Sequence, residues 1–172
     1  MAERRLFALD QNFPLPIVNA LTEYISEAEL VAVKDIDPRM SELDDWQLLL
    51  ALHHDKRPWD GLITTDMGMT RLPRELAVLL QTNLSLVVAH GSGHDPIRAT
   101  GLVLAHLPSV CERTSSETAQ LWVLRTTEKK PDDPWERLRQ VAAHQNRPAS
   151  QVYNDAKLSD AELSVDPLQG HS

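Results

Sequence analysis

The chain has 172 residues, 42% hydrophobic and 24% charged, with a formal net charge of −8; this suits one soluble domain burying roughly 70% of its unfolded surface. The acidic balance argues against broad, non-specific nucleic-acid binding through a basic surface. A single cysteine, Cys111, excludes an internal disulfide and a cysteine-rich zinc site, and no apolar run approaches the ~20 residues that span a bilayer.

In chain order, Met-Ala-Glu-Arg-Arg leads into a strand-like run at Leu6–Leu9 rather than into a signal-peptide core, so a reducing, cytoplasmic location is expected. Pro14–Ile25 carries Ile17, Val18, Leu21 and Ile25 at helical spacing, with proline near the first turn. Leu30–Val33 reads as a second strand. A helix follows Asp44-Asp45, built on Trp46, Leu48, Leu49, Leu50 and Leu52, and those acids suit its N-terminus. Gly61–Thr65 is a third strand, Pro73–Gln81 a helix, Leu84–Ala89 a fourth strand and Pro96–Leu107 a helix. Ala119–Leu124 continues the pattern as a fifth strand, and Asp132-Asp133-Pro134 opens a charged helix running to about His144.

Alternation of this kind predicts an α/β fold, a central mostly parallel sheet of about five strands with helices on both faces. Residues 1–147 are expected to form the domain. Residues 148–172, polar and poor in large apolar side chains, are expected to be a mobile C-terminal tail.

Two acids stand where a strand-like run stops: Asp10 after Arg-Leu-Phe-Ala-Leu, and Asp66 after Gly-Leu-Ile-Thr-Thr. Residues just past the carboxyl ends of strands emerge at the rim where open α/β sheets bind ligands. Carboxylates converging there repel one another unless a hard cation such as Mg²⁺ or Mn²⁺ takes their oxygens. The structural alternatives are a helix cap for Asp10, a task Asn12 could also perform, and a turn-initiating aspartate for Asp66. Asp44 and Asp45 point about 100° apart on a helix, so one at most aims at a common centre; Glu42 is a weaker candidate in the preceding loop.

His90-Gly91-Ser92-Gly93-His94-Asp95-Pro96 follows the fourth strand. It reads as a helix entry capped by Asp95, with phosphate positioning as the functional alternative. His53-His54 suits the C-terminal dipole of the Asp44 helix. The four tryptophans are scattered rather than arranged for base stacking, and Cys111 has no evident partner histidine.

The order of these pieces resembles the PIN-like nucleases, especially compact bacterial proteins related to VapC-type toxin ribonucleases. The likeness rests on Leu-Asp-Gln-Asn-Phe-Pro at 9–14, the Asp44-Asp45 helix with Ala51 inside it, and Leu-Ile-Thr-Thr-Asp at 62–66, and covers approximately residues 5–110. It implies a PIN-like parallel sheet whose acids hold one or two Mg²⁺ or Mn²⁺ ions for RNA hydrolysis. Asp10 and Asp66 would then be metal ligands, and Asp44 or Asp45 the helix-borne carboxylate. Relatives often carry a second acid two residues after the strand-end aspartate, where this chain has Gly68.

The expected function is a metal-dependent endoribonuclease, the toxin of a toxin–antitoxin pair, acting on RNA and admitting a protein antitoxin and a homodimer as partners. The alternative is a non-catalytic PIN-like binding or regulatory module, encouraged by Gly68 and the acidic balance. An aspartyl phosphotransferase with Asp10 as nucleophile ranks last, because Asn12 stands where such enzymes usually carry another acid.

Overall fold

Five short apolar runs become the strands of one sheet: β1 (Arg5–Leu9), β2 (Ala28–Ala32), β3 (Gly61–Thr64), β4 (Ser85–Ala89) and β5 (Gln120–Leu124). The structure, a computed structural model, describes residues 4–91, 95–125 and 130–169, without the side chains of residues 15, 17 and 21. The strands lie in the order β2-β1-β3-β4-β5, and every neighbouring pair is parallel. Parallel sheets need cover on both faces, which is why β3 and β4 are buried at every residue instead of alternating with solvent.

The strand period of two sorts the side chains into two cores. Ala8, Leu62, Leu86, Val88, Leu121 and Val123 join one cluster, packed by α3 (Asp45–His54), α4 (Pro73–Thr82) and α6 (Pro134–His144) through Leu49, Leu76 and Leu138. Phe7, Leu9, Ile63, Val87, Trp122 and Leu124 face the other way, against Val18 of α1 (Leu15–Thr22) and Val103 and Val110 of α5 (Pro96–Arg113). Each fully buried Leu, Ile or Phe contributes about 1.5–3 kcal/mol. Gly61 permits a close strand approach, because a Cβ there would lie 1.9 Å from the Ser85 carbonyl oxygen.

Two expectations are corrected. Val33 does not end the second strand; it starts α2 (Val33–Ile36), which runs into a 3-10 turn at Pro38–Glu42. Residues 148–169 are not a detached tail. They hold α7 (Ala149–Ala156) and α8 (Asp160–Leu163), and α7 packs on α4 and α6. Val152, Ala156, Leu158 and Leu168 are buried, and all but Ala156 belong to the α3/α4/α6 core. Polar seams reinforce this packing. Gln81 donates to the Leu158 carbonyl and accepts from its amide, both at 3.0 Å, His54 Nε2 lies 2.8 Å from the Leu163 carbonyl, and Arg39 donates to the Leu168 carbonyl at 2.9 Å. Residues 170–172 of the expected tail lie outside the described residues.

Candidate metal centre

The strand order has one reversal. From β1 the chain crosses outward to β2, and β3 returns to the opposite side of β1. Connections leaving β1 and β3 therefore diverge, and the carboxyl ends of these two strands open the crevice in which such sheets bind ligands. Asp10 and Asp66 follow these two strands.

Asp10 is held deep in the rim, only 5% exposed. Its amide extends the β1–β3 ladder by donating to the Ile63 carbonyl at 2.9 Å. Its Oδ1 accepts from the Gln11 amide at 2.7 Å, and its Oδ2 accepts from the Thr64 hydroxyl at 2.8 Å. Thr64, fully buried at the end of β3, also accepts from the Asp66 amide at 3.0 Å. One hydroxyl thus links the side chain of the first acid to the backbone of the second. Asp66 caps a 3-10 turn at Met67–Thr70, its Oδ1 accepting from the Gly68 amide at 2.6 Å. A Cβ on residue 68 would stand 2.9 Å from that oxygen, so glycine there makes room for the carboxylate.

The pair Asp44-Asp45 divides its tasks. Asp44 is exposed at the N-cap of α3, with its amide donating to the Gln47 side chain at 3.0 Å. Asp45, half-buried in the first turn, has its pKa pushed up to about 6, first by desolvation and then by the charges of Asp66, Asp10, Glu75 and Asp44. Its helix therefore brings Asp45 within electrostatic reach of both strand-end acids. Burial also raises the Asp10 carboxyl, against its two hydrogen bonds, with a smaller push from Asp66. Glu75 is a member of this group that motif reading missed. It is buried in the first turn of α4, and its carboxyl is raised chiefly by desolvation; its own backbone amide and the charge of Arg74 oppose this, and Asp44 and Asp66 add a smaller repulsion. An acid in a first turn reads from sequence as a dipole complement. Only tertiary packing tells which such acid faces a crevice.

At the opposite end of the sheet Asp60 accepts from the Leu6 amide at 2.8 Å and pairs with Arg5 at 3.1 Å. Among the described residues, no ion pair neutralises Asp10, Asp45, Asp66 or Glu75. Donors that are all carboxylate oxygens suit the chemistry of Mg²⁺ or Mn²⁺, although the charge of Arg74 partly compensates Glu75. The side chains are not drawn into a closed ligand set. Among the described residues no three His, Cys, Asp or Glu groups stand as a metal-holding cluster, and one oxygen each of Asp10 and Asp66 is turned to a backbone amide.

The remaining candidates fall outside this centre. Glu42 is exposed at the end of its 3-10 turn. Asp95 caps α5 by accepting from the Arg98 amide at 3.0 Å, while Ser92, Gly93 and His94 lie outside the described residues. Cys111 is buried, its thiol pushed up to about 11 by desolvation, which suits an inert packing residue. No helix among the described residues is long and apolar enough to cross a membrane.

No family model, curated protein or solved structure matches the chain.

Proposed function

We propose that the chain is a metal-dependent endoribonuclease of PIN-like type, the toxin half of a toxin–antitoxin pair working in the cytoplasm with a protein antitoxin as partner. The observation that supports it most is the meeting of Asp10 and Asp66 at the β1/β3 switch point, tied by Thr64 and joined electrostatically by Asp45, with no cation paired to any of them among the described residues.

Asp10, Asp66 and Asp45 would hold a hard divalent ion, which when bound supplies Lewis-acid stabilisation of a phosphoryl oxygen. The protein's own part is preorganisation. Thr64 Oγ1 and the Gln11 amide fix the Asp10 carboxylate, and the Gly68 amide fixes that of Asp66. The first turns of α3 and α4 direct positive dipole ends toward the negative charge of Asp45 and Glu75. Asp45 can take up a proton near pH 6 in the metal-free protein.

The test is cleavage of single-stranded RNA with Mg²⁺ or Mn²⁺. Asp10→Asn and Asp66→Asn are each expected to lower the rate at least about 100-fold, the scale of losing an electrostatic group at a reacting centre, with an unchanged far-ultraviolet circular dichroism spectrum. Wild-type rates in both variants would remove the mechanism.

A second reading, a non-catalytic binding module, is favoured by the lack of a gathered three-ligand set among the described residues. Calorimetric titration with Mn²⁺ separates the two, because a module without a metal centre takes up no ion at millimolar concentration.

A further inference from the structure

The rim that carries the acids also carries cations, and the sheet order fixes their sequence across it. Lys34 stands in the first turn past β2, Asp10 past β1, Asp66 past β3, and Arg125 directly past β5. The guanidinium of Arg98, in the first turn of α5, lies against Gly91 just past β4; its Nη2 is 3.7 Å from where a Gly91 Cβ would be. The register pairs Ala89 with Leu124, so the Gly91–Arg98 contact and Arg125 leave the sheet side by side. From Lys34 to Arg125 spans four strand spacings, about 19 Å.

These three cations are exposed, and no ion pair is formed by any of them among the described residues. At the other end of the sheet two arginines are neutralised, Arg5 by Asp60 at 3.1 Å and Arg57 by Glu29 at 3.6 Å, whereas Arg4 donates to the Ile25 carbonyl at 2.9 Å. In a chain of net charge −8, unpaired cations placed on both sides of an acidic centre form a local track for a linear polyanion. We infer that single-stranded RNA crosses this rim perpendicular to the strands, with its phosphates on Lys34 at one side of the carboxylates and on Arg98 and Arg125 at the other. The choice of RNA rests on the nuclease reading above. A single strand suits a rim in which Asp10 is only 5% exposed, because a flexible backbone bends toward a recessed carboxylate more readily than a stiff duplex does.

The proposal explains how an acidic protein engages RNA without a basic surface. Phosphate contacts of this kind position a strand without reading its sequence. They also make affinity depend on salt, since each contact to a single strand changes the slope of log K against log salt by about 0.7.

The experiment is fluorescence anisotropy of a short labelled single-stranded RNA with the full-length chain in Mg²⁺, in an Asp10→Asn background so that the probe stays intact. The triple variant Lys34→Ala, Arg98→Ala, Arg125→Ala is expected to weaken binding on the order of 100-fold at about 0.1 M salt and to flatten the salt slope by about 2. Arg98→Lys with Arg125→Lys is expected to retain most of the affinity, since a lysine also neutralises a phosphate. Arg139→Ala, which removes an exposed pair with Glu136 on α6, should change nothing. Unchanged affinity in the triple variant, or no RNA binding by the parent, overturns the track. Cleavage is read separately on the native centre. Loss of binding in the triple variant without metal-dependent cleavage by the native chain would sustain the track and sink the nuclease. Cleavage with unaltered binding would do the reverse.

Discussion

The hydroxyl of Thr64 acts as donor and acceptor in the same place, donating to Asp10 Oδ2 and accepting from the Asp66 amide. A valine of nearly equal volume would keep the packing and lose both bonds, leaving a buried carboxylate oxygen without its donor, which costs more than an ordinary hydrogen bond. Asp45 carries the clearest pH signature. Its carboxyl titrates at about 6 in the folded chain against an ordinary 3.8, so between those values the folded state holds more protons than the unfolded one. Stability of the metal-free protein therefore falls as pH rises from about 4 to about 6, and the raised carboxyls of Asp10 and Glu75 add to the same trend. Asp45→Asn is expected to flatten this fall in urea denaturation and to gain about 1 kcal/mol at pH 7, a figure kept modest because the group is only half-buried and solvent screens it. A steeper fall in the variant would show that other groups dominate. Asp10 and Asp66 were legible in the sequence because a strand end announces a rim position. The division between Asp44 and Asp45 was legible only as an alternative, since a 100° step says that two adjacent acids diverge but not which one faces inward. Glu75 was not legible, because nothing local separates a first-turn glutamate that faces water from one that faces a crevice.

At the scale of elements, the strands read easily where burial on both faces makes them continuously apolar, as in Leu84–Ala89. The C-terminal helices did not. Within Ala149–Ala156 only Val152 and Ala156 are buried; the segment is amphipathic at helical spacing, but it is short and mostly polar, so its composition reads as a solvated chain end and hides the period. One signal was available in α8. Ser159 and Glu162 form a capping box, the Ser159 hydroxyl accepting from the Glu162 amide at 3.3 Å and the Glu162 carboxylate accepting from the Ser159 amide at 2.9 Å. The packing of this segment predicts that it is part of the cooperative unit. Leu158, 1% exposed and flanked by both Gln81 bonds, should lose about 2–5 kcal/mol on replacement by alanine. Equilibrium urea denaturation followed by tryptophan fluorescence checks this. A cost under about 0.5 kcal/mol would mean that the segment contributes little to the domain.

At the scale of the whole molecule, charge and topology act together. Four acids around one crevice oppose folding in the absence of a counter-ion, so a cation that binds only the folded state stabilises it by mass action. If the acids hold Mn²⁺ as proposed, a roughly hundredfold excess over its dissociation constant would contribute about 2.7 kcal/mol, which in a domain of this size would raise the unfolding midpoint by about 5–10 °C. Differential scanning fluorimetry of the native chain and of the Asp10→Asn, Asp66→Asn double variant measures this. The rise is expected only in the former, and equal rises in both would assign the ion to another location. The same topology dictates when the centre comes into being. Asp10 and Asp66 lie 56 positions apart along the chain, and they become neighbours only when β3 docks beside β1 in parallel register. During synthesis the first acid emerges well before its counterpart, so a nascent chain keeps the two carboxylates apart, each in water, until β3 has docked.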